Sequence, residues 1–160
     1  MYIIKRISKS SIATMLVIVF MLLLLVLRLM SVSRSTTAYC EAVGEYSTAV
    51  EGEFSVEDFL KQFDVEIDKT TEQAVKIMIP SEFNQVYENY NALQQGQGLD
   101  LTDYKGKEAI RYTYNVKNST SDDVRCNVIV CENEVIAGDL CTTALDGAMT
   151  SLVDNRLKQG

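Results

Sequence analysis

The chain has 160 residues, 47% of them hydrophobic, with four cysteines, one proline, no tryptophan and no histidine, and a formal net charge of −7. The missing histidine removes the commonest general base, the Ser-His and Cys-His nucleophile pairs and the commonest zinc ligand. The charge is also divided. Up to Arg34 there are five basic residues and no acidic ones, whereas the remaining 126 residues carry ten basic and all twenty-two acidic side chains, a net of −12. So acidic a remainder repels phosphate and anionic headgroups, which argues against nucleic acid as a partner and against flat adsorption onto lipid.

The first element is an apolar run. From Ile12 to Leu27, sixteen residues contain nothing more polar than Thr14, with Lys5, Arg6 and Lys9 before them. As a helix rising about 1.5 Å per residue, Ser10 to Leu27 covers roughly 27 Å, close to the ~30 Å hydrocarbon core of a bilayer. The run is longer than the apolar core of about 7–15 residues in a secretory signal. The small-x-small segments after it, Ser31-Val32-Ser33 and Thr36-Thr37-Ala38, are poor cleavage sites. Both features favour a single-pass membrane anchor through residues 10–30 over a secreted factor released by cleavage. The cationic start is expected to stay cytoplasmic and the remainder to lie outside the cell membrane, with Arg28 snorkelling to the far headgroups. Residues 1–30 then form the cytoplasmic start and transmembrane helix, 31–53 a tether with one short strand at most, and 54–157 a single extracytoplasmic domain.

Ser55-Val56-Glu57-Asp58 has capping-box spacing, and Val56, Phe59, Leu60 and Phe63 recur on one helical face, so a short helix is expected to start at Ser55 and end near Phe63. Val65 and Ile67, then Val75, Ile77 and Ile79, flank Asp68-Lys69-Thr70-Thr71 and read as a β-hairpin. After Pro80, Ser81 is placed to cap a second helix carrying Phe83, Val86, Tyr87, Tyr90 and Leu93, with Gly96 as its left-handed terminus. Tyr104-Lys105-Gly106-Lys107 reads as a turn. Ile110, Tyr112, Tyr114 and Val116 alternate with polar residues and open a three-stranded meander, continued by Val124–Cys131 and Val135–Leu140. A final helix is expected over Ala144, Leu145, Ala148, Met149, Leu152 and Val153. The order helix, two strands, helix, three strands, helix makes an α+β fold with helices packed on one side of an antiparallel sheet.

Several short words within that pattern carry a resemblance: Val86-Tyr87, Tyr90-Asn91-Ala92-Leu93-Gln94, Gln97-Gly98-Leu99-Asp100-Leu101, Tyr104-Lys105-Gly106-Lys107, Arg111-Tyr112-Thr113-Tyr114, Gly138-Asp139-Leu140-Cys141 and Leu145-Asp146-Gly147. In this order, across Pro80 to Asp146, the chain resembles a domain of unknown function associated with membrane-anchored proteins of clostridia-like Gram-positive bacteria. The resemblance implies no activity, and it lends no support to a role for Cys126 or Cys131, which stand where small or aromatic residues are more usual.

No G-x-S-x-G elbow, S-x-x-K pair, P-loop or dinucleotide fingerprint occurs, which leaves no catalytic residue, no cofactor, no metal ligand set and no nucleotide to expect. An enzyme would have to work through carboxylates, with Asp100 and Asp103 or Asp139 and Asp146 as an acid-base pair or a calcium site, though loop solvation and helix capping are the better account of all four. Cys126 and Cys131 are five apart in one strand and cannot bond. If the last hairpin turns on Asn133 and Glu134, Cys126 pairs with Cys141, near disulfide distance; buried thiols are the plainer alternative. Tyr87, Tyr90, Tyr104, Tyr112 and Tyr114 read first as core residues and otherwise as a groove for a peptide or glycan. In that second reading Arg111 and Lys107, with Tyr104, form a basic spot that seats an anion. The function these features favour is a binding or accessory module with a protein partner at the cell surface, the alternative being a carboxylate-based extracytoplasmic enzyme.

Overall fold

The computed structural model describes residues 15–25, 36–50, 54–144 and 147–158. It divides into two compact units, residues 1–35 and 36–160. In the first, residues 15–25 are helical (α1) and exposed throughout. Among the described residues no helix is long and apolar enough to cross a membrane. The flanks of the expected span, with Lys5, Arg6, Lys9, Arg28 and Arg34, lie outside the described residues.

The second unit is α+β. A two-stranded hairpin, β1 (Thr37–Cys40) and β2 (Gly44–Ser47), precedes α2 (Val56–Lys61). A five-stranded antiparallel sheet follows, built from β3 (Ile67–Met78), β4 (Glu108–Val116), β5 (Val124–Cys131), β6 (Glu134–Thr142) and β7 (Met149–Ser151) in that spatial order, with α3 (Gln85–Gln95) between β3 and β4. The capping box at Ser55 is formed as expected: its hydroxyl accepts from the Asp58 amide while the Asp58 carboxylate accepts from the Ser55 amide. Those hydrogen bonds, from the Ser55 backbone first, hold the Asp58 carboxyl down at about 2.

Five expectations are corrected. The segment expected to be a tether contributes the β1–β2 hairpin, whose Cys40 and Tyr46 are buried in the core. The hairpin expected over Val65 to Ile79 is one long strand. Asp68 to Thr71 does turn, with Asp68 Oδ1 accepting from Thr70 and the Thr71 hydroxyl donating to the Asp68 carbonyl. The turn is a bulge, however, because β4 pairs with β3 on both sides of it, Asp68 opposite Asn115 and Gln73 opposite Thr113. The second helix is capped by Asn84 rather than Ser81. Its C-cap Gly96 is right-handed, and the left-handed residue is Gly98 (φ 86°). A Cβ on Gly98 would stand 2.2 Å from the Tyr39 carbonyl oxygen, so the glycine lets β1 dock. The expected final helix is β7, which completes the sheet beside β6: Leu140 pairs with Thr150, and Leu152 beyond the strand is fully buried.

The fifth correction concerns the layers, since the sheet is covered on both faces. On one face Tyr114, Val128, Cys126 and Leu140 meet Phe59, Leu60 and Phe63 of the α2 region and Tyr46 of the hairpin, whose ring sits edge-on to Phe63 at 4.8 Å between centroids. Phe59 and Leu60 are fully buried, each stabilising the fold by about 1.5–3 kcal/mol. On the other face Ala109, Ile129 and Ala137 pack with Ile79, Leu101 and Tyr104, and α3 lies over this smaller cluster through Tyr90.

Candidate functional site

The buried residues of α3 are polar. Asn91 and Gln94 are buried, while Leu93, Tyr87 and Tyr90 are half-covered and Val86 is 73% exposed. A surface helix normally buries its apolar stripe. Here side-chain amides hold the helix instead. Asn91 donates to Asp100 Oδ1 at 3.0 Å and accepts from the Leu101 amide at 2.8 Å, which fixes the loop after the helix. Gln94 Oε1 accepts from the Gly138 amide at 2.9 Å. Gln97, fully buried, donates to the Gly138 carbonyl at 2.6 Å and accepts from the Leu152 amide at 2.9 Å. The two glutamines therefore complete the β6 edge at Gly138, just before the three pairs that β6 makes with β7.

Held in this way, α3 leaves its apolar stripe facing a cavity of about 670 Å³ against the sheet. The walls are Val86, Tyr87 and Leu93 from the helix, Ile77 and Ile129 from the sheet and Met149 from β7, which is 51% exposed. This volume lies within the roughly 300–1,000 Å³ usual for small-molecule sites.

The polar groups of the cavity converge from three adjacent strands. Thr113 on β4, Asn127 on β5 and Asp139 on β6 lie in one row across the sheet. The Thr113 hydroxyl donates to Asn127 Oδ1 and Asn127 Nδ2 donates to Asp139 Oδ2, both at 2.8 Å. From the helix the Tyr90 hydroxyl donates to Asp139 Oδ1 at 2.8 Å. Each oxygen of this carboxylate, 2% exposed, thus has a donor. Burial nevertheless dominates and raises the Asp139 carboxyl above its usual range, against the lowering effect of Asn127, Tyr90 and the charge of Arg111. Burial and the Asp139 charge likewise push the Tyr90 hydroxyl up, so it remains a donor. Arg111 on β4 is exposed at the rim, and among the described residues its guanidinium forms no ion pair or hydrogen bond.

Arg111 is therefore the one expected ligand-binding residue that lines this cavity. Lys107 and Tyr104 lie elsewhere. Lys107 pairs with Glu132 at 3.0 Å and sits 5.0 Å over the Tyr104 ring, and the Tyr104 hydroxyl donates to Glu134 at 2.8 Å. The tyrosines also divide: Tyr87 and Tyr90 line the cavity, whereas Tyr114 belongs to the opposite face and donates to Glu72.

Cys126 and Cys141 are unbridged thiols. Their pairing fails by one residue. The hairpin turns on Glu132 and Asn133, both at positive φ (52° and 64°), and a bulge at Ile136 follows, so Cys126 faces Leu140 while Cys141 faces Arg125. The two thiols project from opposite faces, and Cys141 accepts from Asn127 beside the cavity at 3.3 Å.

Among the carboxylates weighed for catalysis, Asp100 accepts from Thr102, Gln95 and Asn91. Burial raises its carboxyl, but these bonds outweigh that and bring it down to about 2, as suits a loop-organising acceptor. Asp103 is exposed in the short 3-10 turn after it, and Asp146 lies outside the described residues. Among the described residues no group of three or more Cys, Asp or Glu is placed to hold a metal ion.

Composition alone concealed Asn127, Thr113 and Gln97, because polar side chains at strand and loop positions read as solvent-facing. Gly138-Asp139 within an apolar strand was the available signal, a charge in a segment otherwise built for burial.

No curated protein and no solved structure matches the chain. A family model for a domain of unknown function (DUF4830) matches residues 59–140, which run from within α2 to within β6 and include Tyr90, Arg111, Asn127 and Asp139. The hairpin β1–β2 and strand β7 fall outside the matched residues. With just over half its length matched, the chain belongs to this domain-of-unknown-function family.

Proposed function

We propose that this protein is a binding module whose working site is the cavity between α3 and the sheet, carried outside the cell on an N-terminal membrane anchor. The observation behind the binding role is the inverted α3, which buries amides and leaves Val86, Tyr87 and Leu93 over open space beside Met149. Apolar side chains held against water by a rigid hydrogen-bonded frame cost stability unless a ligand covers them. The polar row beneath them serves to position rather than to react, since both Asp139 oxygens are engaged by donors. Support for the anchor comes from the apolar run Ile12–Leu27 and the change of charge after Arg34.

Binding is tested with a neutral apolar fluorophore whose emission rises in a dry site, titrated into the full chain in lipid nanodiscs. Emission should rise with the native chain and fall away with Met149→Glu and with Val86→Glu, while Lys105→Glu, outside the cavity, binds as the native chain does. Equal emission from all four proteins would overturn the reading. The anchor is tested by alkaline extraction of membranes, where release of the full chain into the supernatant would refute it.

A further inference from the structure

The same cavity carries a statement about its ligand, one that rests on the binding-module reading above. Its walls are apolar on both sides, and among the lining residues the only cation is Arg111. Asp139, the only lining anion, is 2% exposed and closed off by Tyr90 and Asn127, so the charge presented to a ligand is the guanidinium. Several other basic groups among the described residues are engaged: Lys107 with Glu132, Lys61 and Lys69 with Glu57, Arg156 with Asp154, and Arg125 with the carbonyls of Asp122 and Val124. An arginine with no ion pair or hydrogen bond among the described residues, at the mouth of an apolar cavity in a domain whose residues past Arg34 carry a net −12, is matched by an anionic occupant. The planar fork of a guanidinium suits a carboxylate, which it grips through two parallel hydrogen bonds.

We infer that the cavity takes a small amphiphilic carboxylate, with its aliphatic or aromatic body among Val86, Tyr87, Leu93 and Met149 and its anionic end on Arg111. The geometry separates the two demands: the helix and β7 supply the apolar wall, and β4 supplies the charge from the rim. Tyr90 and Asn127 keep the Asp139 carboxylate away from the incoming anion by holding it on the floor.

Three probes of one shape and different charge decide the matter: phenylbutyrate, the neutral phenylbutanol and the cationic phenylbutylammonium, each titrated by calorimetry into the full chain in nanodiscs with the Met149 methyl signal followed in parallel. Phenylbutyrate should bind roughly tenfold or more tighter than phenylbutanol, the contribution expected of a hydrogen bond to a charged partner. Arg111→Gln should remove that difference, and Arg111→Glu should shift the preference to phenylbutylammonium. If phenylbutanol matches phenylbutyrate on the native chain, or if Arg111→Gln keeps the anion's advantage, the carboxylate assignment falls while the binding reading stands. If no probe binds or moves the Met149 signal, both fall.

Discussion

Gln97 is the most informative single residue to remove. Its side chain is buried and holds two backbone groups, the carbonyl of Gly138 and the amide of Leu152, while its own backbone carbonyl accepts from the Tyr46 hydroxyl. Gln97→Ala leaves the carbonyl and the amide unpaired in a site that water does not reach. At about 1–3 kcal/mol for each buried unsatisfied group, the loss is about 2–6 kcal/mol, a large part of the ~5–15 kcal/mol that holds a domain folded. The backbone contact to Tyr46 survives the substitution, so the hairpin should stay docked. Urea denaturation followed by circular dichroism gives the stability, and amide exchange at Leu152 gives the local effect, which should accelerate selectively. Gln95→Ala is the control: Gln95 reaches Asp100 from an exposed position, and its loss should cost below about 1 kcal/mol. If Gln97→Ala were no more destabilising than Gln95→Ala, or Leu152 exchange unchanged, the amide frame under α3 would not be what positions the helix.

Four further outcomes are expected. Because the folded-state carboxyl of Asp139 is raised, its contribution to stability is fully present below the unfolded value near 3.9 and is lost as pH rises through the folded value. The urea midpoint of the native chain measured against Asp139→Asn should therefore decline with rising pH through that window, and a flat difference would contradict the burial assigned to Asp139. Gly98→Ala places a side chain at φ 86° against the Tyr39 carbonyl and should lower stability by about 1–3 kcal/mol, with a change in the near-ultraviolet signal of Tyr46 as the hairpin shifts. Ser55→Ala removes the helix cap and should cost about 1 kcal/mol by the same denaturation assay. A thiol reagent should modify Cys141 in the folded chain ahead of the buried Cys40, Cys126 and Cys131, which should react only on unfolding; early modification of Cys126 would refute the register of β5 and β6.

Elements written in local chemistry were legible along the chain. The Ser55 capping box needs only residues three apart, and the alternation of Ile110 to Val116 and of Val124 to Cys131 fixes which side chains share a face, so α2, β4 and β5 came out as expected. Arg111 reads along the chain together with Lys107 as a basic spot beside the tyrosines, and only the tertiary structure separates the two, with Arg111 lining the cavity and Lys107 paired to Glu132. Register was not legible. The bulge at Ile136 shifts β6 by one residue against β5, and one residue is enough to put Cys141 on the opposite face from Cys126. Nor did periodicity settle helix against strand for Met149, whose segment is held extended by pairing with β6, a partner chosen by the sheet rather than by propensity.

By itself, then, the sequence determined composition-level facts: an apolar start, an acidic remainder without histidine, and an alternating antiparallel meander with amphipathic helices. Only the tertiary structure decided that α3 turns amides inward and its apolar stripe toward a cavity. That orientation depends on Asn91, Gln94 and Gln97 finding the loop at Asp100 and the edge at Gly138, partners up to 44 residues away from Gln94. Hydrophobic periodicity describes what a helix would bury if burial were its only demand. Unsatisfied backbone groups at a sheet edge impose a second demand, and their position is set by how distant strands meet.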